Sequence, residues 1–175
     1  TEQVLARETM LSQEQSAAVR MAVSAPVSII TGGPGTGKTT ILNQVLKIFE
    51  QCGVVTLLAA PTGRAAKRME SATGRPAKTI HRLLEYGADP EEEDAANFGN
   101  FRRDEDHPLE ADAVIIDESS MVDIFLMRSL LAALEPGTRL ILTGDADQLP
   151  SVGPGNVLKD IIASGAVPST MLNEV

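Results

Sequence analysis

The run Gly32-Gly33-Pro34-Gly35-Thr36-Gly37-Lys38-Thr39 decides how the rest of this 175-residue chain is interpreted. It fits the spacing Gly-x-x-x-x-Gly-Lys-Thr, which is the pattern of a phosphate-binding loop. The apolar residues 27 to 30 precede it and predict a buried strand, and a helix is predicted from residue 38 to about residue 49. Because glycines let backbone N–H groups point inward and a helix N-terminus adds positive charge, such a unit binds phosphate oxygens.

Individual side chains of this loop have defined chemistry in a nucleotide site. Lys38 is expected to reach the β- and γ-phosphates, and the Thr39 hydroxyl is expected to bind Mg²⁺. The other predicted nucleotide-binding residues of the loop are Gly33, Pro34, Gly35, Thr36, Gly37 and Thr40.

The pattern of a short apolar strand followed by a polar turn and a helix repeats along the chain. Further strands are predicted at residues 54–58, 113–116 and 139–142, and helices begin near residues 12, 64, 79, 123 and 156. Phe49 and Phe125 are predicted to lie in the core on helix faces. Continuous apolar strands that alternate with helices indicate an α/β fold, a mostly parallel sheet covered by helices on both faces.

Polar side chains follow the last two of these strands, where a parallel sheet binds its ligands. Asp117 is placed to hold Mg²⁺ through its water shell, and the adjacent Glu118 to act as general base. The amide of Gln148 is placed to contact the γ-phosphate and the attacking water. We therefore expect Lys38, Thr39, Asp117, Glu118 and Gln148 to converge on one triphosphate–magnesium pocket.

The net charge of −9 is distributed unevenly. Residues 85 to 112 hold eleven acidic and two basic side chains, which accounts for the whole excess. Residues 61 to 84 hold one acidic side chain, Glu70, against six basic ones: Arg64, Lys67, Arg68, Arg75, Lys78 and Arg82. Because phosphate affinity comes from local Lys and Arg fields, this basic patch can bind nucleic acid despite the acidic total. A solvated helix face is the alternative interpretation.

Five successive motifs resemble those of superfamily 1B DNA helicases, and of their RecD-like branch in particular, which includes the TraA-type relaxase helicases. The resemblance runs from Leu11 to Val175 and is thin only at 87–110. The motifs are the run from Gly32 to Thr40, Ala60-Pro61-Thr62-Gly63-Arg64-Ala65-Ala66-Lys67-Arg68, Thr79-Ile80-His81-Arg82-Leu83-Leu84, Asp117-Glu118-Ser119-Ser120-Met121 and Gly144-Asp145-Ala146-Asp147-Gln148-Leu149-Pro150-Ser151-Val152-Gly153.

The resemblance implies a RecA-like P-loop NTPase domain that uses ATP to move along single-stranded DNA in the 5′ to 3′ direction. It assigns adenine recognition to Gln15, a residue that the pattern Ser12-x-x-Gln15 explains equally as part of a helix capping box. It makes Gln148 a sensor between the γ-phosphate and the DNA. It assigns contacts with the DNA backbone to Pro61, Thr62, Gly63, Arg64 and His81.

The aromatic composition bears on how DNA is held. The chain has no Trp, one Tyr and four Phe, so that a stacking platform for bases is poorly supplied. We expect contacts mainly to phosphate and sugar, hence independent of base sequence.

The same resemblance divides the chain into a lead-in, residues 1–10, and a first RecA-like motor domain, residues 11–175, with an acidic variable loop at 87–110. The second motor domain of the family and its arginines are absent from these 175 residues. An arginine finger contributes on the order of 10³ to 10⁵ in rate, so we expect this chain alone to bind Mg-nucleotide but to hydrolyse it slowly. With one cysteine and no run of eighteen apolar residues, a cytoplasmic protein without a membrane span is expected.

Two other classes of function share the phosphate loop. A small-molecule kinase would need an arginine-rich lid, whereas the loop at 87–110 is acidic and would repel a phosphorylated substrate. A non-catalytic module could use that loop to dock another protein. A GTPase is disfavoured, since no Asn-Lys-x-Asp sequence occurs. Among these classes, only the helicase requires that single-stranded DNA change the nucleotide affinity.

Overall fold

The computed structural model describes residues 11–87, 101–148 and 151–173. The predicted lead-in 1–10 and part of the predicted acidic loop, 88–100, lie outside these residues. The elements in chain order are α1 (Gln13–Ser24), β1 (Val27–Gly32), α2 (Lys38–Gln51), β2 (Thr56–Ala60), α3 (Gly63–Thr73), β3 (Lys78–Thr79), α4 (Ile80–Leu83), β4 (Ala113–Ile116), a 3₁₀ turn (Ser119–Met121), α5 (Ile124–Ala132), β5 (Arg139–Gly144), α6 (Val157–Ser164) and β6 (Ser169–Leu172).

The strands form one sheet in the order β3-β2-β4-β5-β1-β6, and every neighbouring pair is parallel. β1 lies between β5 and β6, with Ile29 opposite Leu142 on one side and Ser169 on the other. The predicted parallel sheet is confirmed. The two strands that the sequence did not indicate lie at its edges, where β3 is only two residues long and β6 is partly exposed.

Both faces of the sheet are buried, because successive strand residues point to opposite sides. In β1, Ile29 packs on one side and Ile30 on the other, and both are fully buried. One face is covered by α1, α2 and Met69 of α3, and the other by α4, α5 and α6. This two-sided burial explains why the strands are continuously apolar, and it confirms that helices cover both faces.

Two details differ from the sequence expectations. The second strand begins at Thr56 rather than Val54, because the amide of Val54 bonds to the carbonyl of Phe49 and Val55 is half exposed. Phe49 is buried as predicted, but the prediction for Phe125 is wrong, since 44% of this residue is exposed. Helix α5 is short and buries Leu126, Met127 and Leu130 instead.

The second half of the acidic loop, residues 101–110, contains no helix or strand, as predicted. It is nevertheless packed against the domain. Leu109 is buried in the core, and Arg103 donates to the Glu85 carboxylate at 3.0 Å and to the Pro108 carbonyl at 3.1 Å. Phe101 forms an antiparallel bridge with Tyr86. These contacts hold both flanks of the loop, 87 and 101, near α4.

Among the described residues, no helix combines the length and apolarity needed to cross a bilayer.

Candidate nucleotide-binding site

The loop between β1 and α2 has a backbone that favours glycine at several positions, of which Gly37 and Gly32 are in closest contact with other elements. Gly37 has φ +87° and precedes α2, and a Cβ there would collide with the side-chain amide of Gln15. A Cβ on Gly32 would lie 2.7 Å from the Thr36 hydroxyl and 2.9 Å from the Leu172 carbonyl oxygen. The loop is therefore closed against α1 on one side and β6 on the other.

Lys38 is bound to its own loop. Its Nζ donates to the carbonyl oxygens of Gly32 at 2.5 Å and Gly33 at 2.7 Å, and the Thr36 hydroxyl also donates to Gly33, at 2.9 Å. The ammonium group is thereby fixed at the mouth of the loop, where it adds a full positive charge to the N-terminus of α2.

Asp117 follows β4 and is tied to two other strands. Its amide donates to the Ala59 carbonyl of β2 at 3.0 Å, and its Oδ1 accepts from the Thr143 hydroxyl of β5 at 2.6 Å. A carboxylate and the nearby hydroxyl of Thr39 are hard oxygen ligands of the kind that Mg²⁺ prefers, so these residues fit a magnesium site.

Glu118 has φ +53°, a left-handed conformation that is uncommon for a residue other than glycine. Its Oε1 accepts a charged hydrogen bond from Arg68 Nη2 of α3 at 2.8 Å. The sequence analysis placed Arg68 in the basic patch and gave no sign of this pair. Fifty residues separate the partners in sequence, and no local pattern connects them.

These groups line one cleft of about 470 Å³ at the carboxyl edge of the sheet. The structure brings together all five residues expected to converge, Lys38, Thr39, Asp117, Glu118 and Gln148, along with four others of the loop, Pro34, Gly35, Thr36 and Gly37. Residues that the sequence analysis did not assign to this cleft are Leu42, Arg68, Met69, Ala72 and Asp145.

Three predicted nucleotide-binding residues lie outside the lining of the cleft. Gly33 contributes its carbonyl to Lys38, and Thr40 is exposed on α2. Gln15 packs against Gly37, and with Ser12 it forms the predicted capping box, in which both reciprocal hydrogen bonds are 3.1 Å. The capping role is therefore confirmed. The side-chain oxygen of Gln15 makes the capping bond, and its side-chain NH₂ group faces the loop at Gly37.

A second groove of about 630 Å³ adjoins the cleft, and Gln148 lines both. The predicted DNA-contact residues Pro61, Thr62 and His81 lie in this groove, together with Met121 and Val152. The turn that carries Gln148 is fixed to β1, since the Ala146 amide donates to the Thr31 hydroxyl at 3.1 Å. Because Gln148 lines both the cleft and the groove, its side chain lies between the two sites.

Gly63 and Arg64 do not line this groove. They form the exposed first turn of α3, which Thr62 caps by accepting from the Ala65 amide at 3.2 Å. Arg64 therefore faces solvent at the helix N-terminus, where its charge and free backbone N–H groups favour an anion.

His81 belongs to an aromatic cluster. Its ring lies 5.6 Å from that of Tyr86, edge to face, and 5.8 Å from that of Phe101. Tyr86 is 56% exposed. The count of aromatic residues gave no indication of this cluster, because Phe101 belongs to the acidic loop, 20 residues after His81, and meets it only in the folded chain.

The basic patch is smaller than its sequence suggests. Arg75 makes two hydrogen bonds to the Glu50 carboxylate of α2, and these bonds hold the pKa of Glu50 below its usual value. Arg68 is paired with Glu118. Lys78 and Arg82 lie together beside Tyr86. The charge counted in one stretch of sequence is thus divided: Arg68 and Arg75 are paired with carboxylates, and Arg64 lies at the N-terminus of α3, apart from Lys78 and Arg82.

The comparison with protein families agrees with this geometry, since the family described as the AAA domain matches residues 15–154. The chain belongs to this family. Among curated proteins, this chain is 41% identical over 165 residues to the ATP-dependent RecD2 DNA helicase of Deinococcus radiodurans. The match covers 94% of this chain and 21% of that protein. The chain is 38% identical over 173 residues to the RecBCD enzyme subunit RecD of Mycolicibacterium smegmatis, covering 86% of this chain and 30% of that one.

Solved structures show the same fold. The AAA domain is similar to the Pif1 helicase from Candida albicans, with a TM-score of 0.63 and 22% identity over 96% of this chain and 41% of that one. It is also similar to a Bacteroides sp. Pif1 in complex with ADP-AlF4, with a TM-score of 0.61 and 23% identity over 94% and 42% of the two chains. The predicted RecA-like fold and the resemblance to RecD-like helicases are confirmed. The chain spans about a quarter of the length of the curated relatives it matches.

Proposed function

We propose that this AAA domain is the nucleotide-binding first motor domain, residues 11–175, of a helicase that uses ATP to move 5′ to 3′ on single-stranded DNA. The observation that carries the proposal is the position of Gln148, which lines the cleft that contains Lys38 and Glu118 and also the groove that contains His81. A residue shared by the two sites can respond to nucleotide and DNA together.

Nucleotide binding follows from the loop. Lys38 binds the β- and γ-phosphates, and the backbone N–H groups between Gly33 and Thr40 (all but that of Pro34, which has none) complete the phosphate site at the N-terminus of α2. Thr39 and Asp117 would hold the Mg²⁺ that accompanies ATP. This ion would neutralise part of the negative charge on the phosphates. Gln15 recognises adenine, and its contact with Gly37 supports a position at the end of the loop.

Hydrolysis needs a base for the attacking water and a group that orients it. Glu118 accepts the proton of that water, and the amide of Gln148 orients the water against the γ-phosphate. Both side chains line the same cleft as Lys38. The arginines of a second motor domain in the same parent chain complete the site. We therefore expect the isolated 175 residues to bind nucleotide and to turn it over slowly.

The DNA backbone lies along the groove and the first turn of α3. Pro61, Thr62 and His81 contact it from the groove, and Gly63 and Arg64 from the helix N-terminus. Contacts of this kind are to phosphate and sugar and do not read the bases. The protein acts in the cytoplasm, where its DNA partner is found.

The test is the affinity for a fluorescent ATP analogue, measured on the full-length protein with and without an unstructured single strand. The helicase proposal expects the single strand to change the affinity, and Lys38→Ala to abolish binding or turnover. A duplex of the same length without single-stranded ends serves as the comparison. An affinity that the single strand leaves unchanged would favour a nucleotide-binding module or a kinase-like phosphotransferase and would overturn the proposal.

A further inference from the structure

We infer that Arg68 restrains the general base Glu118, and that DNA binding to α3 releases this restraint, so that ATP is hydrolysed slowly until a single strand is bound. Arg68 is then a positioning residue that acts through Glu118. The inference rests on the proposed function, since it takes Glu118 as the base of ATP hydrolysis and the N-terminus of α3 as a DNA contact.

The contact itself is direct. Arg68 Nη2 donates to Glu118 Oε1 at 2.8 Å, and both residues line the nucleotide cleft. The backbone around Glu118 is fixed, since the Asp117 amide bonds to β2 and the Ser119 hydroxyl donates to the Ile116 carbonyl at 3.0 Å. With the backbone held, the direction of the Glu118 side chain depends on its partner across the cleft.

The pair opposes catalysis. A base must offer a carboxylate oxygen to the attacking water in the correct geometry. Here Oε1 is occupied by a charged hydrogen bond, and the side chain is drawn toward α3. While this bond persists, Glu118 is held in an orientation set by Arg68, and a water must displace the guanidinium to reach that oxygen.

The restraint is weak enough to be released. Arg68 is 67% exposed and Glu118 only 20% exposed, so water reaches the pair from the Arg68 side and screens it in part, and we expect it to shift the Glu118 population severalfold. The pair therefore reduces the hydrolysis rate without abolishing it, and a modest competing interaction is sufficient to separate its members.

The interaction that we expect to compete with the Arg68–Glu118 pair is made at the N-terminus of the same helix, α3. Thr62 caps α3, and Gly63 and Arg64 form its first turn, the proposed DNA contact. Arg68 lies about 8 Å farther along the helix axis, since each residue advances about 1.5 Å. DNA phosphates at this end would attract the exposed basic side chains of α3, Arg64, Lys67 and Arg68, and would compete with Glu118 for Arg68.

The experiment measures ATP hydrolysis by the full-length protein with and without a single strand, as kcat and KM. For Arg68→Ala we expect the DNA-free kcat to rise two- to fivefold, about 0.4 to 1 kcal/mol at 1.36 kcal/mol per tenfold. The KM for ATP is measured separately, because Arg68 lines the nucleotide cleft. Stimulation by DNA should fall by the same factor. Arg68→Lys, which retains the charge, should restore much of the restraint, and Arg20→Ala removes an exposed arginine of α1 as the matched control.

Two results would overturn the inference while leaving the proposed function intact. The first is a fall in kcat for Arg68→Ala both with and without DNA, which would show that Arg68 assists the reaction. The second is an unchanged DNA-free rate. The double variant Arg68→Ala/Glu118→Gln should be as slow as Glu118→Gln alone, and any DNA-free rate gain that survives in it would show that Arg68 does not act through Glu118. A wild-type protein without DNA-stimulated hydrolysis would contradict the proposed function itself.

Discussion

The cleft that contains Lys38 and the adjoining groove that contains His81, our proposed DNA site, are built in different ways. The cleft is formed where β1, β4 and β5 end, and backbone geometry defines it: a left-handed Gly37, loop carbonyls that bind Lys38, and an Asp117 held by Thr143. The groove is formed by the turn before α3, by His81 of α4, by side chains between residues 121 and 126, and by residues 151–153, with the first turn of α3 at its rim. Its predicted contact residues are exposed or half-buried side chains.

The difference predicts how each region responds to change. In the cleft, a substitution at one residue displaces neighbouring groups that are held by the same backbone. The contributions of such residues to catalysis are large and not additive. On the DNA side, single charges and hydrogen bonds act nearly independently and are screened by salt. We therefore expect large, specific losses from the cleft and small, graded losses from the groove.

The largest effect is expected from Glu118→Gln. The amide keeps the size of the side chain and can still accept from Arg68, but it cannot take a proton from water, so kcat should fall by about 10²- to 10⁴-fold. Nucleotide affinity should be retained, as measured by titration of the ATP analogue. If the variant hydrolyses ATP at the full rate, the base is another residue, and the contrast between the two regions loses its main support.

A smaller loss is expected from Gly37→Ala. Alanine at φ +87° is strained by roughly 1 to 3 kcal/mol, and its methyl group would displace Gln15, so nucleotide affinity should fall about 5- to 150-fold. Gly53→Ala is the control, because Gly53 also has a positive φ, +70°, but has open space around it and lies outside the cleft. Equal affinity losses in both variants would mean that general destabilisation, not loop geometry, sets the result.

The smallest effect is expected from Arg64→Ala, on the DNA side. Loss of one phosphate contact should weaken single-strand binding about fivefold at low salt and reduce the slope of log K against log salt by about 0.7, independently of base sequence. Fluorescence anisotropy over a range of salt measures both quantities, with Lys159→Ala on α6 as the charge-matched control. A loss that depended on base identity would instead point to base contacts, for which the exposed ring of Tyr86 is the nearest structural candidate.

Much of the cleft could be predicted because its determinants are local. A glycine-rich turn after an apolar strand specifies a phosphate loop within eight residues, and the rule that parallel strands present ligands at their carboxyl ends brings Asp117 and Gln148 to the same edge. The edge strands β3 and β6 were not predicted, because two residues and a half-exposed segment carry no distinctive pattern. Phe125 was misplaced for a related reason, since a nine-residue helix buries only a narrow stripe.

The parallel α/β architecture, and the side chains of the phosphate loop and of the turns after β4 and β5 that line the cleft, could be predicted because hydrophobic period and turn chemistry act over a few residues. Long-range packing brings Arg68 to Glu118 and Arg75 to Glu50, and it gathers His81, Tyr86 and Phe101. The contacts of Arg68 with Glu118, Arg75 with Glu50 and His81 with Phe101 join residues 20 to 50 positions apart. These pairings depend on how the helices pack on the sheet, and a short stretch of sequence does not indicate that packing.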